Sequence, residues 1–225
     1  MTQTALAKAS KPFRFYTRLH LQSLTGCRAR TIKELLMHIK KVPGSVIYHH
    51  THHFLQQHQF VTPEPPNDFA FWIRDALGED RLAEQLDSVD ICEFDTIRAI
   101  REKIVKIIKE YMEGKDEKWL DREAPEGEDF NFIRSISFII PTNLEVWNLQ
   151  EFRDALEQVT ASSLYFHVFE ARLRVQRRSN DFSLWFDHCL GDAELAKAVE
   201  RLDPYTHTME GLRKKIISLV EEKIK

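Results

Sequence analysis

Apolar and polar residues alternate near the start of the chain, in residues 13–21. Phe15, Leu19 and Leu21 fall on one side of an extended chain, and charged or aromatic polar residues lie between them. This period of two is typical of a β-strand. The same alternation recurs in residues 132–140. The pattern therefore predicts two strands, one near the start of each half of the chain.

After each predicted strand, the apolar positions recur at the spacing of amphipathic helices. Thr31 is followed three residues later by Glu34, and Asn148 is followed in the same way by Glu151. A hydroxyl or amide followed at this spacing by Glu is the capping signal of a helix N-terminus. Helices are therefore predicted to make up most of the protein.

The two halves of the chain repeat each other. RTIKELLMHIKKVPGSVIYHH, at 30–50, aligns with WNLQEFRDALEQVTASSLYFH at 147–167. After a loop that is four residues shorter in the second copy, NDFAFWIRDALG at 67–78 aligns with NDFSLWFDHCLG at 180–191. Chance does not place so many rare residues in register, so we interpret the chain as an internal duplication.

The predicted fold is mainly α, with two tandem helical repeats that are related by a pseudo-two-fold axis and are each preceded by a β-strand. The predicted boundaries are a flexible tail at 1–12, repeat 1 at 13–112, an acidic linker at 113–129 and repeat 2 at 130–225. We expect the two strands to pair as a ribbon across the axis, because each otherwise lacks a partner.

The second helix of each repeat is the candidate for the interface between the repeats. In repeat 2 it is apolar on nearly every side, which is typical of a buried helix. Tyr48 and His50 align with Tyr165 and His167 in the two copies of this helix. We therefore expect these four side chains in the interior, near the axis.

Histidines are the main candidate chemistry, since five of the ten lie between residues 45 and 59. His50 and His53, one turn apart, align with His167 and Glu170. Three imidazoles and one carboxylate would suit a divalent transition metal such as zinc, iron or manganese. A shared metal site at these four residues is therefore one interpretation of the sequence. His49 and His52 form a weaker pair, because repeat 2 has phenylalanine at both positions.

Two other interpretations of the histidines stay open. One is a polar structural network, in which Asp68 and Asp181, or the hydroxyls of Tyr48 and Tyr165, satisfy the buried imidazoles. The other is a pocket for a small ligand. In each case the two aspartates and the two tyrosines would surround the histidines and would not carry the chemistry themselves.

A dense basic run is the remaining candidate site. It consists of Arg172, Arg174, Arg177 and Arg178. A solvated helix face explains such a run, and an anion-binding site is the alternative interpretation.

Composition narrows the classes of function. The formal net charge of −3 argues against nucleic-acid binding by bulk electrostatics. No apolar run approaches the roughly 20 residues that span a bilayer, so no membrane role is expected. Three widely spaced cysteines suit a reducing compartment, and we expect a cytoplasmic protein. The seven scattered glycines form no phosphate-binding loop.

The motifs VPGSVIYHHTHHFL and PPNDFAxW, with the echo SLYxHxxEARLR…NDFSxW, are similar to those of an uncharacterised family of bacterial and archaeal proteins, a domain of unknown function. The resemblance covers nearly the whole chain. It implies that the histidine run belongs to the family pattern, and it implies no activity. The H-x-x-H helix also resembles, by analogy only, metal-binding helical bundles such as the damage-inducible four-helix proteins.

Two functions remain in view. The first is a soluble, duplicated binding or regulatory module whose polar cluster takes a metal or small ligand and whose surface engages a protein partner. The second is a metal-dependent enzyme of hydrolase type that uses the His-x-x-His/Glu cluster. The sequence offers no general base outside the ligand set and no nucleophile pattern, which favours the module. It leaves the catalytic residues, if any, and the oligomeric state unidentified.

Overall fold

A computed structural model describes residues 7–56, 67–175, 179–202 and 207–224, without the side chains of residues 53–56, 92 and 175. The described part of the chain contains two long strands, each followed by six α-helices. The first half contains β1 (Phe13–Ala29), α1 (Ile32–Lys41), α2 (Gly44–Gln56), α3 (Asp68–Asp75), α4 (Asp80–Asp87), a 3₁₀ turn (Ile91–Glu93), α5 (Ile97–Met112) and α6 (Glu117–Leu120). The second half contains β2 (Phe130–Val146), α7 (Leu149–Gln158), α8 (Ala161–Tyr165), a π-helical turn (Phe166–Glu170), α9 (Ala171–Val175), α10 (Asp181–His188), α11 (Ala193–Glu200) and α12 (Met209–Ile224).

The prediction of a mainly α fold is wrong, because the strands are much longer than their alternating segments. Each strand has 17 residues, and the fold is mixed α/β although helices dominate. The alternation of exposure is interrupted in the middle of each strand, where Leu21 and Gln22 of β1 are both exposed and residues 138–141 of β2 are all exposed. Thr25 Oγ1 accepts from the backbone of Cys27, and Thr142 Oγ1 accepts in the same way from Leu144. These local bonds lie in the C-terminal part of each strand, beyond the segments that the sequence pattern predicted.

The two strands pair with each other as an antiparallel two-stranded sheet, so the predicted ribbon is confirmed. The same two threonines tie it together. Thr25 Oγ1 donates to the carbonyl of Phe132 at 2.8 Å, and Thr142 Oγ1 donates to the carbonyl of Phe15 at 2.7 Å. A two-stranded ribbon alone is marginally stable in water, so the helices must supply most of the burial.

The described residues fall into two compact units, and each strand contributes to both. Unit 1 takes the chain through Leu19 together with residues from Ser137 onward, and unit 2 takes the rest of β1, α1–α6 and the start of β2 as far as Ile136. The start of β1 therefore packs with the helices of the second repeat, and the start of β2 packs with the helices of the first. The division of the chain into repeats by sequence order did not anticipate this exchange.

Unit 1 is built around the start of β1. The rings of Phe13 and Phe15 lie 5.9 and 5.7 Å from that of Phe152 on α7, and that of Phe13 lies 5.3 Å from the ring of Phe182 on α10. Trp185 closes the cluster, since its indole N–H donates to the carbonyl of Lys11 at 2.8 Å. Burial of this aromatic set anchors the strand to the helices.

Unit 2 repeats the arrangement with the start of β2. Phe130 stacks on Phe69 at 5.2 Å, and Phe132 is fully buried. The indole of Trp72 donates to the carbonyl of Glu128 at 2.6 Å, as Trp185 does in unit 1. The duplicated sequence motif thus produces a duplicated strand-docking site.

The predicted helix starts are confirmed. Thr31 and Glu34 form a capping box, and the Asn148 side chain accepts from the backbone of Glu151. Asn67 caps α3 and Asn180 caps α10 in the same way. Of the helices in the described residues, none is long and apolar enough to cross a membrane.

The segments predicted as tail and linker make specific contacts where the structure describes them. In unit 1 the backbone of Ala9 donates to Trp147 at 2.7 Å, and Lys8 lies 4.3 Å from the centre of the Trp147 ring. In unit 2 the linker contains α6, and Trp119 on this helix donates to Glu79 at 2.8 Å.

We expect Phe15→Ala to destabilise the helices of the second repeat and to spare those of the first. Loss of a buried phenylalanine costs about 3–5 kcal/mol, and here the loss falls on unit 1. Hydrogen exchange followed by mass spectrometry should show faster exchange in α7–α12 than in the wild type. Phe132→Ala, the equivalent change, should instead accelerate exchange in α1–α5. Faster exchange in α1–α5 for Phe15→Ala would contradict the exchanged arrangement.

Candidate functional site

His167 joins a helix to a strand edge in unit 1. It lies in the π-helical turn after α8, and its side chain is 3% exposed. Its Nε2 accepts from the backbone N–H of Tyr16 at 2.9 Å, and its Nδ1 lies 2.7 Å from Oδ2 of Asp181 at the start of α10. Because Nε2 accepts, the ring proton is on Nδ1 and is donated to Asp181. One histidine thus connects three elements.

The pKa of His167 is lowered from its ordinary value. Desolvation by burial is the largest cause, and the hydrogen bond to Asp181 opposes it only in part. The geometry agrees, because a protonated ring would turn an N–H toward the N–H of Tyr16. The fold therefore keeps this imidazole neutral.

His50 makes the equivalent connection in unit 2. Its Nε2 accepts from the backbone N–H of Ile133 at 3.0 Å, and its Nδ1 lies 2.8 Å from Oδ2 of Asp68. Tyr16 and Ile133 are equivalent positions of the two strands. We call each set of His, Asp and strand N–H a histidine clasp.

The clasps satisfy backbone groups that a two-stranded ribbon leaves unpaired along its outer edges. In unit 1, Ser163 completes this role, because its Oγ donates to the carbonyl of Tyr16 at 2.7 Å. Helix side chains therefore bond both backbone groups of Tyr16 in place of a third strand.

Glu170 lies one turn beyond His167 and is 1% exposed. It forms an ion pair with Arg18 of β1, two residues along the strand from the clasped Tyr16. The π-helical geometry of residues 166–170 places both side chains toward the strand. Such single π turns are often found at functional sites, and here this one serves to dock a strand.

The predicted metal residues have these described partners. Both ring nitrogens of His50 and His167 are engaged, and each set of partners lies inside one unit. Glu170 is paired with Arg18, and the side chain of His53 lies outside the described residues. This bonding supports the structural-network interpretation, with Asp68 and Asp181 as the partners. The shared site remains a prediction.

The described contacts of the two tyrosines are ring contacts with other aromatic side chains. Tyr48 stacks on His52 at 4.8 Å and lies 5.9 Å from the ring of His20 on β1. Tyr165 stacks on Phe169 at 5.0 Å, as its alignment with Tyr48 suggests. Sequence reasoning missed His20, whose ring also lies 3.2 Å from the hydroxyl of Ser135. Its place in an alternating strand was the signal available.

Of the basic run, Arg174 has a defined place. Its guanidinium donates to Oδ2 of Asp181 at 2.5 Å and lies 4.0 Å from the centre of the Phe166 ring. Arg172 is half-buried, whereas Arg177 and Arg178 lie outside the described residues. Arg174 therefore completes the clasp of unit 1, and its charge is already paired.

In the part of the chain that the structure describes, one group of side chains could hold a metal ion. His49, His50 and Asp68 in unit 2 each offer a donor atom, and these atoms lie within 4.8 Å of one another. His49 is 4% exposed, whereas the Asp68 side chain is 50% exposed. The group is therefore rooted in the core and reaches the surface at the carboxylate.

Two clefts lie away from the clasps. One, of about 620 Å³ in unit 2, is lined by residues of both charges that include Arg81, Asp90 and Lys103. The other, of about 320 Å³ in unit 1, lies between α10 and α11. Neither is lined by a clasp histidine or aspartate.

Comparisons with known proteins identify a family and a similar solved structure, and neither description names an activity. The model of a family described as "Family of unknown function (DUF5752)" matches residues 10–221. A solved structure, "The structure of OrfY from Thermoproteus tenax", is similar at 28% identity with a TM-score of 0.79, over 96% of this chain and 97% of that one. No curated protein matches.

The lowered pKa of His167 predicts that acid destabilises the protein. The unfolded chain takes up a proton near the ordinary pKa of 6.5, whereas the folded chain resists it. The stability from this group is therefore present above that pH and is lost as the pH falls through the lowered folded pKa. Denaturant unfolding at several pH values between about 5 and 7.5 should show the decline.

His167→Gln is the informative variant, because an amide can still accept from Tyr16 and donate to Asp181 without titrating. Its free energy of unfolding should depend less steeply on pH than that of the wild type. His188→Gln, at a side chain that is 64% exposed, is the matched control and should keep the wild-type slope. Equal slopes for all three proteins would refute a role for His167.

Proposed function

Because this chain belongs to the DUF5752 family of unknown function, we infer its role from its own surface: we propose a non-enzymatic binding module. The proposed partner is a protein with an apolar surface, and the contact is made by exposed apolar side chains of the β ribbon.

Exposed apolar residues of the ribbon carry this proposal. In unit 1, Leu19 is 49% exposed, Phe138 is 50% exposed and Ile140 is 43% exposed. The bonds from Thr142 to Phe15 and from Arg14 to Glu145 set the strand register and bring Leu19 level with the other two. Single exposed apolar residues are ordinary, but adjacent large ones mark interaction surfaces.

The form of the contact follows from the clasp. Both backbone groups of Tyr16 are bonded to helix side chains, and Arg18 is paired with Glu170. This stretch of the β1 edge therefore has no room for an added strand. A partner would instead pack its side chains against the apolar side chains of the ribbon, and aromatic and aliphatic groups would supply the binding free energy.

The same geometry weighs against the alternative of a metal-dependent hydrolase. A general base must reach a substrate in a cleft. The clasp histidines are buried with both nitrogens bonded, and neither described cleft contains them. A structural role for these histidines fits a module that presents a surface.

The test is site-specific photo-cross-linking in the native cell, with a photoreactive phenylalanine at position 138. Phe71 on α3, which is 58% exposed, is the matched control position. We expect position 138 to capture a defined protein that position 71 does not capture. Purified with its partner, the Leu19→Ser/Ile140→Ser variant should bind at least about tenfold more weakly, as measured by calorimetry, while Phe71→Ser binds normally.

Equal capture from both positions, or unchanged affinity of the Leu19→Ser/Ile140→Ser variant, would refute the proposed surface. Turnover of a phosphate or carboxylic ester by the purified chain, abolished by Asp68→Asn, would favour the hydrolase instead.

A further inference from the structure

We propose that unit 2 binds one divalent transition-metal ion through His49, His50 and Asp68. This site differs from the four-residue site expected from the sequence, because it lies within one repeat and excludes the clasp of the other. It is also independent of the proposed partner surface.

The donor set fits such an ion. Two imidazoles and one carboxylate are ordinary ligands of zinc and its neighbours, and further positions can be filled by water. The three donor atoms lie within 4.8 Å of one another. Ligand atoms around a tetrahedral zinc ion, at about 2.1 Å from it, are roughly 3.4 Å apart. Binding therefore requires the widest pair of donor atoms to close by up to about 1.4 Å, while Nδ1 of His50 and Oδ2 of Asp68, now 2.8 Å apart, must separate.

Unit 1 shows what the clasp aspartate requires. There, the guanidinium of Arg174 donates to Asp181 at 2.5 Å and lies over the Phe166 ring, which neighbours His167 at 5.0 Å. The clasp carboxylate is thus neutralised by a cation on its outer side, and its side chain is only 17% exposed. The Phe166 ring forms the other wall of the position that the Arg174 guanidinium occupies.

The first repeat changes the two residues that build this position. Gln57 aligns with Arg174, and residues 57–66 contain neither lysine nor arginine. His49 aligns with Phe166 and holds the same place, with its ring 5.0 Å from that of His50 at nearly a right angle. Asp68 is left 50% exposed, and among the described residues its one ionic contact is with His50. The first repeat thus has a neutral residue and a metal-ligating residue where the second repeat has a cation and its aromatic wall.

Metal binding changes the tautomer of His50. The ion takes the lone pair of Nδ1, between the nitrogen and the carboxylate, and the proton that Nδ1 donated to Asp68 is released to water. Because a neutral imidazole carries one ring proton, Nε2 takes up a proton from water and no longer accepts from Ile133. The bonds to the ion offset the loss of this hydrogen bond. The ion then supplies the positive charge that Arg174 supplies in the other unit.

The test uses the full chain, stripped with a chelator and titrated with Zn(II) by calorimetry and with Co(II) by visible absorption. One ion per chain is expected, with the d–d bands of cobalt bound by nitrogen and oxygen ligands. His49→Phe, which installs the residue that the second repeat uses, should weaken binding more than about a hundredfold. It should retain the wild-type circular dichroism without metal. Asp68→Asn is the second variant, and it decides the test if His49→Phe does not fold. Its side chain can still accept from His50, and it should also weaken metal binding.

The converse experiment creates a second site. Phe166→His/Arg174→Gln gives the second repeat the residues of the first, so this chain should bind two ions. His188→Ala, which removes an exposed histidine, should still bind one. Absence of binding by the wild type, or equal binding by wild type, His49→Phe and Asp68→Asn, would overturn the proposal. So would a single ion per chain in the folded Phe166→His/Arg174→Gln variant.

Discussion

The hydrogen bond from a strand N–H to a buried neutral histidine is the interaction on which this architecture depends. A ribbon of two strands has two outer edges, and an unpaired polar group buried there costs about 1–3 kcal/mol. His167 and His50 provide the acceptors for Tyr16 and Ile133. Lysine and arginine cannot accept at such a position, whereas a histidine whose proton is held by aspartate can.

Docking of the strand fixes the rest of each unit. The clasp fixes the position of the strand along the helices, and the phenylalanines beside the clasped residue pack among the helices. An indole N–H bonds to the backbone just before the strand, at Lys11 in unit 1 and at Glu128 in unit 2. Each unit therefore needs a strand segment to complete its core. Because each strand serves both units in turn, folding of the two halves depends on the same ribbon.

The sequence predicted what is local. Caps, the buried second helix and the aspartates as histidine partners all follow from residues close to one another or aligned by the repeat. It could not predict which helices a strand would join, because Phe13 and Phe130 stand in equivalent patterns and fit either copy. It also missed the strand lengths, because each strand continues beyond the point at which its alternation is interrupted. Arg174, which completes the clasp of unit 1, was identified from the sequence only as part of a basic run.

Duplication explains where the two copies are free to differ. The aspartate, histidine and strand N–H hold the fold and recur in both units, so a change there would cost stability in either. Outside this set, the aspartate needs only a positive charge beside it, and that charge need not come from a side chain. An arginine from the same chain meets that need permanently, whereas a position lined by histidine meets it only when an ion is present. The first repeat has glutamine where the second has this arginine, and its clasp carboxylate is the more exposed of the two.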